Sequence, residues 1–166
     1  MVLDPETRCE LRGGGRALIN LKMAADYLKR SLSCLEEAKA ALEREDYPLC
    51  VRRSQESIEM AAKSLLRALA LEYPKTHDVS PILLSVKERL PEPLRIRIDQ
   101  LSSLISELAA IRGPAMYGYE SEGIPASDVI SRSYADEVFE RVREHVDIIS
   151  SVLIPILREK GFWNGP

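Results

Sequence analysis

The stretch ALINLKMAADYLKRSLSCLEEAKAALEREDYPLCVRRSQESIEMAAKSLLRALAL, residues 17–71, decides the fold. In it Leu21, Leu28, Leu35 and Leu42 recur every seven residues with Ala25 and Leu32 between them, which lays all six on one stripe of a helix running to about Arg44. Asp46 then offers a cap and Pro48 a first-turn residue for a second helix, which reaches about Leu71 before Pro74. Its expected buried stripe is Val51, Ser54, Ile58, Ala61 or Ala62, Leu65 and Leu69. The link between the two is so short that they must form an antiparallel hairpin.

Working outward from that hairpin, residues 73–79 read as a loop, and Ser80 with Pro81 starts a short third helix to about Arg89. Pro91 and Pro93 end it and begin a fourth, in which Leu94, Ile98, Leu101, Leu104 or Ile105, Leu108 and Ile111 keep the helical spacing. Arg112 is expected at its end, before the breakers Gly113 and Pro114. Residues 113–132 hold three glycines and two prolines without a sustained period. They read as a long loop with one helical turn near Asp128, and a loop of that length in a small domain suggests function. Ser133 with Asp136 resembles a capping box for a fifth helix carrying Val138, Val142, Val146, Ile149, Val152 or Leu153 and Ile156, kinked by Pro155. On the other side, Gly13, Gly14 and Gly15 precede the first periodic residue. The expected organisation is a flexible lead-in over residues 1–16, a helical domain over 17–160 and a tail over 161–166. The fold class is all-α: an up-and-down bundle of four long helices plus a short one.

Composition agrees and narrows the function. The chain has 166 residues, 45% of them hydrophobic and only 5% aromatic, which suits a Leu, Ile, Val and Ala core of packed helices. With 23 Lys and Arg against 26 Asp and Glu, the net charge is −3, which argues against a broad basic coat for nucleic acid. Cys9, Cys34 and Cys50 have no paired spacing, and His77 and His145 stand without clustered ligands, so no metal and no cofactor are expected. No apolar run has the length of a membrane span and the start lacks the apolar stretch of a signal peptide, so a cytoplasmic protein with no membrane partner is expected.

Chemistry concentrates in two places. On the second helix Gln55, Glu59 and Lys63 lie four apart and so stack on one side, with Arg52 above them. They are either a solvated face with a Glu-to-Lys pair worth about 0.3 kcal/mol, or the lining of a polar site. After the fourth helix, Arg112 is either a cation stabilised by a helix C-terminus, worth ~0.3–1 kcal/mol, or a phosphate ligand. Tyr117 and Tyr119 follow it, either as boundary rings with exposed hydroxyls or as site residues. His77 has a turn or capping role with Asp78 as its ordinary reading, and His145 that of a helix-surface or partly buried residue.

The phrase RRSQESIEMAAKSLLRALALEYPKTHDVSPIL, residues 52–83, with Arg112 and a Tyr-Gly-Tyr loop after it, resembles the HEPN domain, the higher eukaryotes and prokaryotes nucleotide-binding domain. The resemblance runs from about Leu18 to Leu157 and implies the same helical bundle. In HEPN ribonucleases the signature is an Arg, four to six residues, a His and often a Tyr two residues later. Here Arg112 and Tyr119 match, and Tyr117 stands in the His position. The resemblance implies a cleft at a homodimer interface, where the Arg stabilises phosphate charge and the His assists attack by a ribose 2′-hydroxyl without a metal. It also implies a minimal nucleotidyltransferase partner that adenylylates the signature Tyr, the position of Tyr119.

A phenol, at about 10, is a poor acid or base beside an imidazole at about 6.5, so Tyr117 keeps a hydrogen-bonding or stacking role and drops the catalyst. Three functions therefore compete. One is a homodimeric module binding a nucleotide or RNA phosphate through Arg52, Gln55, Glu59, Lys63, Arg112 and Tyr119, partnered by a nucleotidyltransferase. Another is a metal-independent endoribonuclease of toxin–antitoxin type using Arg112, Tyr117 and His77. The last is a structural helical adaptor.

Overall fold

In the computed structural model, which describes residues 14–165, Asp46 does cap the second helix: its Oδ1 accepts the Leu49 backbone N–H at 3.2 Å, and Pro48 occupies the first turn. Helix α1 spans Gly14–Glu43 and α2 spans Tyr47–Ala68. Glu45, at φ 64°, turns the chain between them in a left-handed residue. Leu21, Ala24, Ala25, Leu28, Ala38 and Ala41 of α1 are buried. Small residues let the two helices approach closely, and three serines satisfy themselves on the facing backbone. Ser31 Oγ donates to the Ser57 carbonyl at 2.8 Å, Ser57 Oγ to the Ser31 carbonyl at 2.9 Å, and Ser64 Oγ to the Ala24 carbonyl at 2.7 Å.

The remaining helices are α3 (Ser80–Ser85), α4 (Glu92–Arg95), α5 (Ile98–Tyr117), α6 (Ala126–Val129) and α7 (Arg132–Glu159), with single 3-10 turns at Lys87–Arg89 and Glu120–Glu122. Four long helices thus make the all-α bundle, and no strand occurs among the described residues. Helix α2 is its axis. It packs on α1, α7 and α5, and it buries Val51, Ser54, Ile58, Ala61, Ala62, Leu65 and Leu69 as expected, but also Cys50, Gln55, Ser57, Glu59, Ser64 and Leu66. A helix covered on so many sides has little solvated face left.

Several boundaries differ from the sequence reading. The third helix stops at Ser85 and is followed by a 3-10 turn at Lys87–Arg89, which ends where Leu90 takes the extended backbone that the ring of Pro91 demands. The fourth starts as one separate turn at Glu92–Arg95 and only then runs on from Ile98. At its other end it passes through Gly113 and Pro114 to Tyr117. Pro114 costs it one backbone hydrogen bond, yet Ala115 is buried and the Gly118 N–H donates to the Pro114 carbonyl at 2.9 Å, so packing carries the helix past its breakers. The final helix is capped by Ser131, whose hydroxyl accepts the Tyr134 N–H at 3.2 Å, rather than by Ser133.

The long loop is shorter than expected and more ordered. Tyr119 and Ile124 exchange two backbone hydrogen bonds, 2.8 and 3.1 Å, in an antiparallel bridge, and the helical turn near Asp128 is α6. Helix α1 begins at Gly14, three residues before Ala17; residues 1–13 of the expected lead-in lie outside the described residues. Near the other terminus Trp163 is buried, with the Lys29 ammonium 5.5 Å from its ring centroid.

Candidate functional site

Gln55, Glu59 and Lys63 stack on α2 as their spacing requires, but they are not a solvated face. Gln55 is 2% exposed and Glu59 5%. Taking a carboxylate out of water is costly unless donors replace the water, and here three do. Lys63 Nζ donates to Glu59 Oε1 at 2.6 Å, and Gln55 Nε2 donates to Oε2 at 2.6 Å. His77 Nδ1, from the loop after α2, donates to the same Oε2 at 3.0 Å. Burial pushes the Glu59 carboxyl upward, but the bonds from Lys63, His77 and Gln55 outweigh it and hold the group below its ordinary 4.5.

The loop that brings His77 in is braced by its neighbours. Thr76 Oγ1 accepts the Asp78 N–H, and Asp78 Oδ1 accepts the Ser80 N–H, both at 2.9 Å. Desolvation raises the Asp78 carboxyl, yet hydrogen bonds from Ser80 and Ser106 leave it below its usual value. The turn is therefore held by Thr76 and Asp78, and His77 contacts Glu59 instead.

At the upper end of the same helix face, Arg52 NH1 donates to Gln55 Oε1 at 3.2 Å, and its NH2 pairs with Glu56 Oε1 at 3.1 Å. The network thus runs without a gap from Arg52 through Gln55 and Glu59 to His77. Burial first, and the charge of Arg112 second, depress the Arg52 guanidinium below its ordinary value. The charge of Arg112 is thus felt at Arg52, although the two are far apart in sequence. Arg112 has no hydrogen bond or ion pair among the described residues, and its Nε is buried without a partner. Because α5 continues to Tyr117, Arg112 sits inside a helix, and the C-terminal-charge explanation for it does not apply.

The other cations of the phrase are spent elsewhere. Arg53 Nε reaches across to Glu37 of α1 at 2.8 Å while its NH1 binds Glu56, and Lys63 neutralises Glu59 and lies 5.9 Å from the Tyr73 ring centroid. Glu56 joins Arg52 to Arg53, as its i+4 and i+3 spacing from the two arginines announces. Tyr117 ends α5 at 62% exposure, and Tyr119 follows at 43% in the bridge with Ile124. His145 is buried, its Nδ1 donating to the Arg141 carbonyl at 2.7 Å, beside a separate cleft of about 560 Å³ that Arg97 and Glu144 also line.

The arrangement leaves the Arg112 guanidinium without a counter-charge and holds one imidazole against a buried carboxylate. Among the described residues no three His, Cys, Asp or Glu side chains gather as a metal-ligand set, and no helix is long and apolar enough to cross a membrane. Compared with known proteins, residues 24–152 match the family model described as HEPN domain; no curated protein and no solved structure matches the chain.

Proposed function

The chain belongs to the HEPN domain family, and from that membership we propose that it is a homodimeric module binding the phosphate of a nucleotide or RNA between Arg52 and Arg112. One observation carries this: Arg112 has no carboxylate of its own and a buried, unpartnered Nε, and its charge is felt at Arg52. Arg52 already has Glu56 as its counter-charge, but Arg112 has none, and a guanidinium matches phosphate oxygens in charge and geometry. A purely structural adaptor has no reason to carry an unpaired guanidinium. Calorimetric titration with AMP, ATP and a short RNA is expected to give saturable binding, weakened roughly 10- to 100-fold in Arg112→Ala, the loss of a charge-assisted hydrogen bond. Absence of saturable binding to all of them refutes the assignment.

The dimer contact we assign does not use the apolar helix stripes. Those stripes are largely consumed inside the chain: Leu21, Leu28, Leu104, Leu108, Val142 and Val146 are all buried. Of the large apolar side chains that stay exposed, Leu18, Ile19, Leu84 and Ile96 lie on other segments, whereas Met116, Tyr117, Tyr119 and Ile124 follow Arg112 in one stretch of chain. A two-fold contact there sets two phosphate sites near one seam. Sedimentation equilibrium at micromolar concentration is expected to give twice 18.7 kDa, and a monomer under those conditions overturns the dimer. Tyr119, exposed at the same seam, is the acceptor a minimal nucleotidyltransferase partner would adenylylate, and that modification would bring negative charge to the site.

A further inference from the structure

We infer that the groove between α1 and α7 binds a linear aliphatic primary amine in its ammonium form, at a site separate from the arginines. Asp147, Ser150, Ser151, Ile154 and Pro155 of α7 and Leu32 of α1 line a volume of about 360 Å³. The five α7 residues follow one another at helical spacing, so a single face of that helix supplies them all.

The polar groups of this face are short of donors. Pro155 has no N–H to return to the Ser151 carbonyl four residues earlier, so that oxygen lacks its helical bond. Ser150 is 8% exposed, and its Oγ is buried without a hydrogen-bond partner. Asp147 adds a carboxylate whose contact with Arg143 is long, at 3.6 Å, because Arg143 is engaged by Glu140 at 2.6 and 3.1 Å. No cation stands among the lining residues. An ammonium has donors and no acceptor, which is the complement of a carboxylate beside an unfilled carbonyl. An anion would find nothing to pair with here, so this groove and Arg112 select opposite charges.

The rest of the ligand is set by the apolar wall. Leu32 and Ile154 are partly buried hydrophobics packed on the core, and with the Pro155 ring they offer a surface to methylenes. The volume suits a chain about as long as the four-carbon stem of lysine. A folded protein partner fits poorly. It would need about 800 Å² on this side, and none of the exposed large hydrophobic side chains among the described residues lines the groove.

The test is a titration of the full chain with n-pentylammonium, followed by amide NMR, with n-pentanol and pentanoate as matched controls. Saturable shifts at residues 147–155 and around Leu32 are expected, with a Kd on the order of millimolar, as one exposed ion pair and a short apolar stem would give. Pentanol should bind at least about threefold more weakly, and pentanoate should not saturate. Asp147→Asn should weaken the amine roughly 3- to 10-fold. Pro155→Val returns an N–H to the Ser151 carbonyl and keeps an apolar wall, so it should weaken the amine about threefold or more while raising the urea midpoint. Both substitutions fall at exposed positions of α7, so the fold survives them. Pentanol binding as tightly as the amine, or amine binding unchanged in either variant, overturns the ammonium assignment. Absence of saturable shifts overturns the site altogether.

Discussion

Gly118→Ala is expected to destabilise the protein by about 3–5 kcal/mol, the combined cost of a Gly-only backbone conformation and of overpacking against rigid atoms. Gly118 sits at φ 67° and ψ −150°, a region that side-chain-bearing residues scarcely enter. A Cβ added there would overlap the Ile124 carbonyl oxygen and come within 2.8 Å of Ala126 N and of the Pro125 carbonyl carbon. All three are backbone, so no side chain can swing away. The bridge between Tyr119 and Ile124 must then open, and with it the segment carrying Tyr117 and Tyr119. Urea unfolding measures the loss, and hydrogen exchange should localise it to residues 118–130. Gly113→Ala is the control: it lies in α5 with nothing within 4 Å of the new methyl. That change should stabilise the helix by roughly 0.5–1 kcal/mol. Equal effects at the two glycines would contradict the geometry.

Glu59→Ala is expected to cost about 3–5 kcal/mol at neutral pH, because it strands a desolvated partner charge. Lys63, whose side chain is 14% exposed, loses its carboxylate, and Gln55 and His77 lose their acceptor. Replacing the pair together, Glu59→Leu with Lys63→Met, should recover much of the loss, since a well-packed apolar pair avoids desolvating either charge. The pH dependence has a definite sign. Glu59 titrates below its ordinary value of 4.5 in the folded state, so its contribution is fully present above that value and is lost as the pH falls through the folded one. Wild type should therefore lose stability more steeply than Glu59→Gln below about pH 4.5, the ordinary carboxylate range. Parallel acid curves, or a loss under about 1 kcal/mol in Glu59→Ala, which is what an exposed ion pair is worth, would show that the network does not hold the fold.

Much of the bundle was legible because helices announce themselves through periodicity and caps that act over a few residues. The hairpin link, its Asp46 cap and the apolar stripe of α2 needed nothing beyond local spacing. The misjudged boundaries lie where a local breaker competed with burial. Gly113 and Pro114 argue for a helix end, and packing around Ala115 overrode them. At Leu90, by contrast, the proline restriction acts on the adjacent residue and packing did not override it, so the helical segment ends at Arg89, where the sequence placed it.

For the site, the sequence by itself determined which side chains share a face: Gln55, Glu59 and Lys63 are four apart, and a helix of 3.6 residues per turn can only stack them. Whether that face meets water was decided by tertiary structure alone, because burial depends on what α1, α5, α7 and the loop of His77 leave uncovered around α2. The same holds for the two arginines. Their charge and their place in the chain are sequence facts, but the influence of Arg112 on Arg52, the buried Nε and the turn of His77 toward Glu59 rather than Asp78 exist only once distant segments pack. Local spacing is set by covalent geometry and hydrogen-bonded turns, while proximity across the bundle is set by which apolar faces close on one another.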